Sequence, residues 1–223
     1  MIFLRKDNLK NFDIKLKEDD KNPNFFHIYK KGSEITTLDL TDLDIFEIGK
    51  ECFKKCLYLE KVILPSQVKI IEESAFESCI SLQEVVFPEN LEIIEQNAFA
   101  YCNLKSFHAP KSLTYIGSGA FMQNRLKDVS LNDNLETIDD WAFSDNHIEE
   151  IFVPSSVVNL KFSFIDNQLI EEKTKLFLPP HFNKPVTKKP TTQTYNSLDE
   201  VIEEAKSLKQ INNYIKTSLG LEK

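Results

Sequence analysis

The chain has 223 residues, 41% of them hydrophobic and 28% charged, with 17 phenylalanines and a formal net charge of −8. That length allows one large domain or two small ones, and the acidic balance opposes a sequence-independent grip on nucleic acid, whose phosphates it would repel. No apolar run approaches the ~18–20 residues that a bilayer-spanning helix requires, so no membrane insertion by such a helix is expected.

The N-terminal stretch "MIFLRKDNLKNF" meets charges too early for a secretory h-region. The expected location is therefore the cytoplasm, or the outside by an export route without a recognisable signal peptide. Within residues 1–34, "FDIKLKEDDKNPNFFHIYKKG" carries two extended runs around a charged Asn-Pro-Asn turn and predicts a β-hairpin. Its expected task is to cap the first unit of the repeat array that begins at residue 35.

From residue 35 the chain repeats itself. Phe53, Phe76, Phe99, Phe121 and Phe143 form one column at spacings of 23, 23, 22 and 22, with Phe164 a weaker sixth member 21 residues on. A small residue precedes each ring (Cys52, Ala75, Ala98, Ala120, Ala142, Ser163), and an isoleucine stands five residues before each of the first five (Ile48, Ile71, Ile94, Ile116, Ile138). Three residues after each ring comes Cys56, Cys79, Cys102, Asn124, Asn146 or Asn167. Short runs such as "LEKVIL", "LQEVVF" and "IEEIFV" come next, punctuated by Pro65, Pro88, Pro110, Pro154 and Pro179. "ITTLDLTDL" at 35–43 reads as the strand of an incomplete leading repeat.

A constant period with fixed columns is the mark of a solenoid, because each unit can bury its apolar side only against its neighbours. The L-x-x-V-x-L run is a short strand whose alternate side chains turn inward. The Ile…Ala-Phe segment must return the chain, as a helical or 3₁₀ turn, to the next strand. The rings form a core spine. The Cys/Asn column calls for a short polar side chain that meets buried backbone groups at a tight turn, and a redox or metal role would not survive the change to asparagine. Disulfides are not expected, and free buried thiols suit a reducing compartment.

Residues 35–179 are thus read as a solenoid of about six coils, and 180–195, rich in Pro, Thr and Lys, as a linker. Residues 196–223 predict an amphipathic helix with the apolar stripe Leu198, Val201, Ile202, Ala205, Leu208, Ile211, Ile215 and Leu219. That helix either folds back as a cap, or docks a partner or forms a homodimer.

The pattern I-x-x-x-A-F-x-x-C-x-x-L-x-x-V-x-L-P, as in "IEESAFESCISLQEVVFPENL", resembles the BspA-type leucine-rich repeat over roughly residues 35–179. The resemblance implies a right-handed arc with short parallel strands in a curved concave sheet, and a surface or secreted interaction protein that binds other proteins. Family coils often carry glycine after the isoleucine, kept here at Gly49 and Gly117.

On such an arc the residues flanking the inward V position face outward. They form one column of Lys61, Glu84, Ser106, Asp128 and Glu150 and a second of Ile63, Val86, His108, Ser130 and Phe152. These ten are the expected partner-binding residues. Residues 38–178 hold 12 Lys+Arg against 24 Asp+Glu, a net of −12, while each flank is +2. A protein partner with a basic surface is therefore expected. The floor of six strands at ~4.8 Å spacing amounts to only about 300–380 Å², against the ~800 Å² per partner of a standard interface, so adjacent loops must contribute.

No nucleophile–base motif or phosphate loop accompanies the four histidines and five scattered glycines, so neither enzyme activity nor any catalytic, cofactor or metal site is expected. The alternatives are a solenoid that merely carries the C-terminal helix, and a surface adhesin or glycan-binding protein. Against the last, Trp141 is the one tryptophan and the arc is short of aromatics.

Overall fold

A computed structural model describes residues 3–21, 25–160, 163 and 175–183. The expected helix at 196–223 and most of the expected linker lie outside these residues. Inside them the chain is a parallel-strand solenoid built on two ladders and a column of turns.

The first ladder contains the strands expected from L-x-x-V-x-L. Thr37–Asp39, Lys61–Ile63 and Glu84–Val86 pair in parallel, as do Ser106–His108 with Asp128–Ser130 and Glu150–Phe152 with Lys175–Phe177. Central residues such as Val62, Phe107 and Ile151 are buried while their neighbours turn out. The sheet is in three pieces rather than one. Its first break falls where the spacing from ring to strand shortens, since Glu84 stands eight residues after Phe76 but Ser106 only seven after Phe99.

The second ladder corrects the expected return path. Each isoleucine of the repeat ends a two-residue strand, and these join Phe3–Leu4, Glu47–Ile48, Ile70–Ile71, Ile93–Ile94, Tyr115–Ile116, Thr137–Ile138 and Asn159–Leu160 into a seven-stranded parallel sheet. The turn after each of these isoleucines, from Ile48 to Ile138, is not a helix. It has i−3 bonds such as Ala75 N to Glu72 O (3.2 Å) and Cys79 N to Phe76 O (3.2 Å), but left-handed residues interrupt it on both sides of the ring. Ser74 and Ser78 (φ 56° and 61°), Asn97 and Tyr101 (54° and 58°) and Trp141 and Asp145 (56° and 55°) are such pairs, two places before and two places after Phe76, Phe99 and Phe143. Alternating hands bend the chain around the ring without propagating a helix.

Coils are stitched at the ring itself. Phe76 N donates to Ala98 O at 2.8 Å and Phe121 N to Ala142 O at 2.7 Å, one bond per coil. The rings of Phe53, Phe76, Phe99, Phe121 and Phe143 stack with centroids 5.2–5.5 Å apart and planes within 17°. All five are fully buried. The alanines before Phe76, Phe99, Phe121 and Phe143 supply the carbonyls that accept from the rings' backbone N–H groups one coil earlier.

The N-terminal segment is not wholly outside the repeat. Phe3–Leu4 opens the second ladder, and Leu9, five residues after Leu4, is buried where later coils place phenylalanine. Arg5 fastens this leading coil by reaching Glu47 Oε1 (2.8 Å) and Glu72 Oε2 (3.3 Å). An antiparallel pair, Ile14–Glu18 with Phe26–Lys30, then interrupts the coil before Thr37–Asp39 resumes it. Ile14 and Ile28 are buried, Phe26 N donates to Lys55 O (2.8 Å), and Leu57 N donates to Phe26 O (2.9 Å). At the other end, Pro180–Asn183 forms a 3₁₀ turn that buries Phe182, while His181 Nε2 donates to Val157 O (2.7 Å). The first residues expected in the linker thus pack on the solenoid.

Candidate functional site: the outward rows of the first ladder

The ten expected residues stand in two adjacent rows. Backbone register sets Lys61 beside Glu84 and Ile63 beside Val86, then Ser106 beside Asp128 and His108 beside Ser130. Glu84, Val86, Ser106, His108, Asp128, Ser130, Glu150 and Phe152 are exposed, and Lys61 and Ile63 are half-buried. The rows begin one strand earlier, at Thr37 and Asp39.

Their charges are partly spent on one another. Lys61 Nζ lies 2.7 Å from Glu84 Oε1. His108 Nδ1 meets Ser130 Oγ at 2.9 Å, and its Nε2 stands 3.6 Å from Asp128 Oδ2. At the head of the second row the Thr41 backbone N–H and hydroxyl both donate to Asp39 Oδ1 (3.0 and 2.7 Å), which holds that carboxyl below its usual pKa. The rows are therefore mixed in charge at the N-terminal end and carry acid with aromatic surface at the C-terminal end.

That aromatic surface is larger than the repeat pattern predicts. Phe177 pairs with Phe152 across the last strands, and the two rings stack face to face at 4.2 Å and 4° while remaining 42% and 61% exposed. A usable signal existed: "IFVP" at 151–154 returns as "LFLP" at 176–179. The interval of 25 residues between the two phenylalanines hid it from a period of 22–23.

The thiols are structural. All four cysteines are free and buried. Burial raises the pKa of Cys52 and Cys102, and a hydrogen bond with Cys79 together with burial raises that of Cys56, so none of these three ionises readily. Among the described residues no group of three or more His, Cys, Asp and Glu could hold a metal ion, and no helix is long and apolar enough to cross a membrane.

The model of the BspA type leucine rich repeat region matches this chain in six copies over residues 46–171, more than half its length. The chain belongs to that family. BspA-type repeats generally serve as protein-interaction or adhesin scaffolds and are typically non-enzymatic. Among solved structures, the chain is similar to the pneumococcal vaccine antigen PcpA, with a TM-score of 0.56 at 22% identity over 74% of this chain and 47% of that one. It thus spans about half of that relative's length. Two looser likenesses are a leucine rich cell surface protein of Faecalibacterium prausnitzii (TM-score 0.42, 18% identity, 69% of this chain and 49% of that one) and the Leucine Rich Repeat protein of T. pallidum (TM-score 0.42, 21% identity, 74% and 83%). Among curated proteins none matches. At 22% identity the likeness to PcpA carries the fold alone.

Proposed function

We propose that the chain is a non-enzymatic scaffold that binds a partner protein through the outward rows of the first ladder and the loops beside them. One observation carries this reading: two adjacent exposed rows run across the strands and end in the stacked, exposed pair Phe152 and Phe177. Folding alone does not demand those rings, since His108 and Ser130 occupy the same row. Aromatic anchors beside charge are where interface energy concentrates. Glu84, Asp128 and Glu150 favour a partner with basic surface. The N-terminal hairpin fits a capping role, because its bonds to Lys55 and Leu57 cover backbone groups of the first full coil.

The test is crosslinking capture with four baits: the full chain, residues 1–195, Glu84→Lys/Asp128→Lys/Glu150→Lys, and Phe152→Ala. The proposal expects a partner held by the first two baits and weakened in the last two, with thermal unfolding unchanged. Undiminished capture by both folded variants would sink it. A partner seen with the full chain but not with 1–195 would move recognition to 196–223, the reading in which the solenoid carries a docking or dimerising segment.

A further inference from the structure

The antiparallel pair at 14–30 has two unlike sides. Ile14 and Ile28 face the solenoid. On the other side, register sets Lys15 beside Tyr29 and Lys17 beside His27. Lys10 and Lys31 flank this face, and together with Asp13, Lys15, Lys17 and Tyr29 they line an open hollow of about 680 Å³, within the size range of small-ligand sites. Its rim is a built feature. Asp13 (φ 56°), Lys31 (53°) and Gly32 (81°) are left-handed, and Lys31 N donates to Asp13 O at 2.9 Å.

Electrostatics decide what this hollow would take. Four ammonium groups surround it in a chain that is otherwise acidic, and among the described residues none of Lys10, Lys15, Lys17 and Lys31 is in an ion pair. Two further carboxylates nearby, Asp19 and Glu34, are both held by His27. Asp19 Oδ2 stands 2.6 Å from His27 Nε2, and Glu34 Oε1 meets His27 Nδ1. Asp13 on the rim is the remaining carboxylate of the lining. Four cations against one anion, arranged about an aromatic ring, suit a ligand with several negative groups on a carbon ring that can lie against Tyr29. Tyrosine offers such rings an apolar face with a polar tip.

We propose that this hollow is a binding site for an acidic saccharide, a short sulfated sugar chain whose sulfate groups are met by the four lysines and whose ring lies on Tyr29. The site is separate from the outward rows of the first ladder and does not depend on their function.

The test is calorimetric titration of the full chain with a sulfated heparin-derived tetrasaccharide, its desulfated counterpart and inositol hexakisphosphate. The proposal expects saturable binding of the sulfated tetrasaccharide that weakens as salt rises. It expects a roughly tenfold or larger loss in Lys15→Glu/Lys17→Glu, as two exposed charge pairs become repulsive, and a smaller loss in Lys10→Gln/Lys31→Gln, with unfolding midpoints unchanged. Tyr29→Ala weakens the tetrasaccharide and leaves inositol hexakisphosphate unaffected. The triple variant Glu84→Lys/Asp128→Lys/Glu150→Lys binds the sugar at least as well as the parent chain, which separates this site from the protein-binding reading. Absence of saturable binding, full affinity in both lysine variants, or equal binding of the desulfated sugar overturns the proposal. Equal affinity for inositol hexakisphosphate with Tyr29→Ala neutral overturns the saccharide assignment.

Discussion

The two halves of the solenoid close the same turn with different chemistry. In the N-terminal half the residue three places after the ring is cysteine, whose thiol donates to a carbonyl of the preceding coil, as Cys79 Sγ does to Phe53 O (3.1 Å) and Cys102 Sγ to Phe76 O (3.2 Å). In the C-terminal half it is asparagine and does more. Asn124 Nδ2 donates to Phe99 O (2.8 Å) and Phe121 O (3.1 Å), while its Oδ1 accepts from Leu104 N (3.0 Å). Asn146 repeats the pattern with Phe121, Phe143 and Leu126. The reason lies one coil earlier. Leu82 stands six residues after Phe76 and donates its N–H to Cys79 O (2.9 Å), whereas Leu104 stands five after Phe99. The lost residue frees a buried N–H, and a thiol, which is a weak acceptor, would serve it poorly. Asparagine appears where the shortened turn first needs an acceptor. The column therefore shares its carbonyl-binding role across both halves and adds an acceptor role in one.

Substitutions sharpen this contrast. Phe99 sits at the junction of the halves, stacked on Phe76 and Phe121. Phe99→Ala should cost ~3–5 kcal/mol in urea unfolding and separate the two halves into distinct transitions. Asn124→Ala should cost about 1–3 kcal/mol, because it orphans the buried Leu104 N–H and removes the side-chain donor to Phe99 O. Cys79→Ala, which removes one weak donor, should cost about 1 kcal/mol or less. Equal losses for Asn124→Ala and Cys79→Ala would show that the acceptor bond carries no weight. The smallest effect belongs to neither half. His27 has its pKa raised, first by the Glu34 hydrogen bond and then by Asp19, since both ring nitrogens face carboxylate oxygens. Lys17 opposite in register and the Tyr58 ring at 4.8 Å complete its surroundings. A pKa raised on folding gives stability that is fully present below the usual histidine value near 6.5 and is lost as pH rises through the folded value. Amide exchange in 14–30 should quicken over that rise, and His27→Gln should flatten the dependence while leaving the asparagine and cysteine contrast untouched.

The phenylalanine column and the outward rows were legible because both rest on side-chain type at a fixed spacing. Three features were not. Phe3–Leu4 enters the second ladder without a sequence mark, since Leu9 replaces the ring and the antiparallel pair stretches the coil beyond the period. The second ladder has strands of two residues, too short to show an alternation. The switch from cysteine to asparagine was visible as a column and the shortening as a change from 23 to 22, but their connection runs through a backbone N–H that no residue letter records.

The bond from Leu104 N to Asn124 Oδ1 also bears on how such a protein can grow or be engineered. A coil shortened by one residue keeps its remedy in the next coil. Duplicating residues 99–120 would copy the short turn at Leu104 with a cysteine three places after the ring, leaving the first copy's leucine N–H without its acceptor. Each copy of residues 121–142, by contrast, carries its own asparagine to serve the leucine of the copy before. Arcs lengthened with the second stretch should fold well, and arcs lengthened with the first should not.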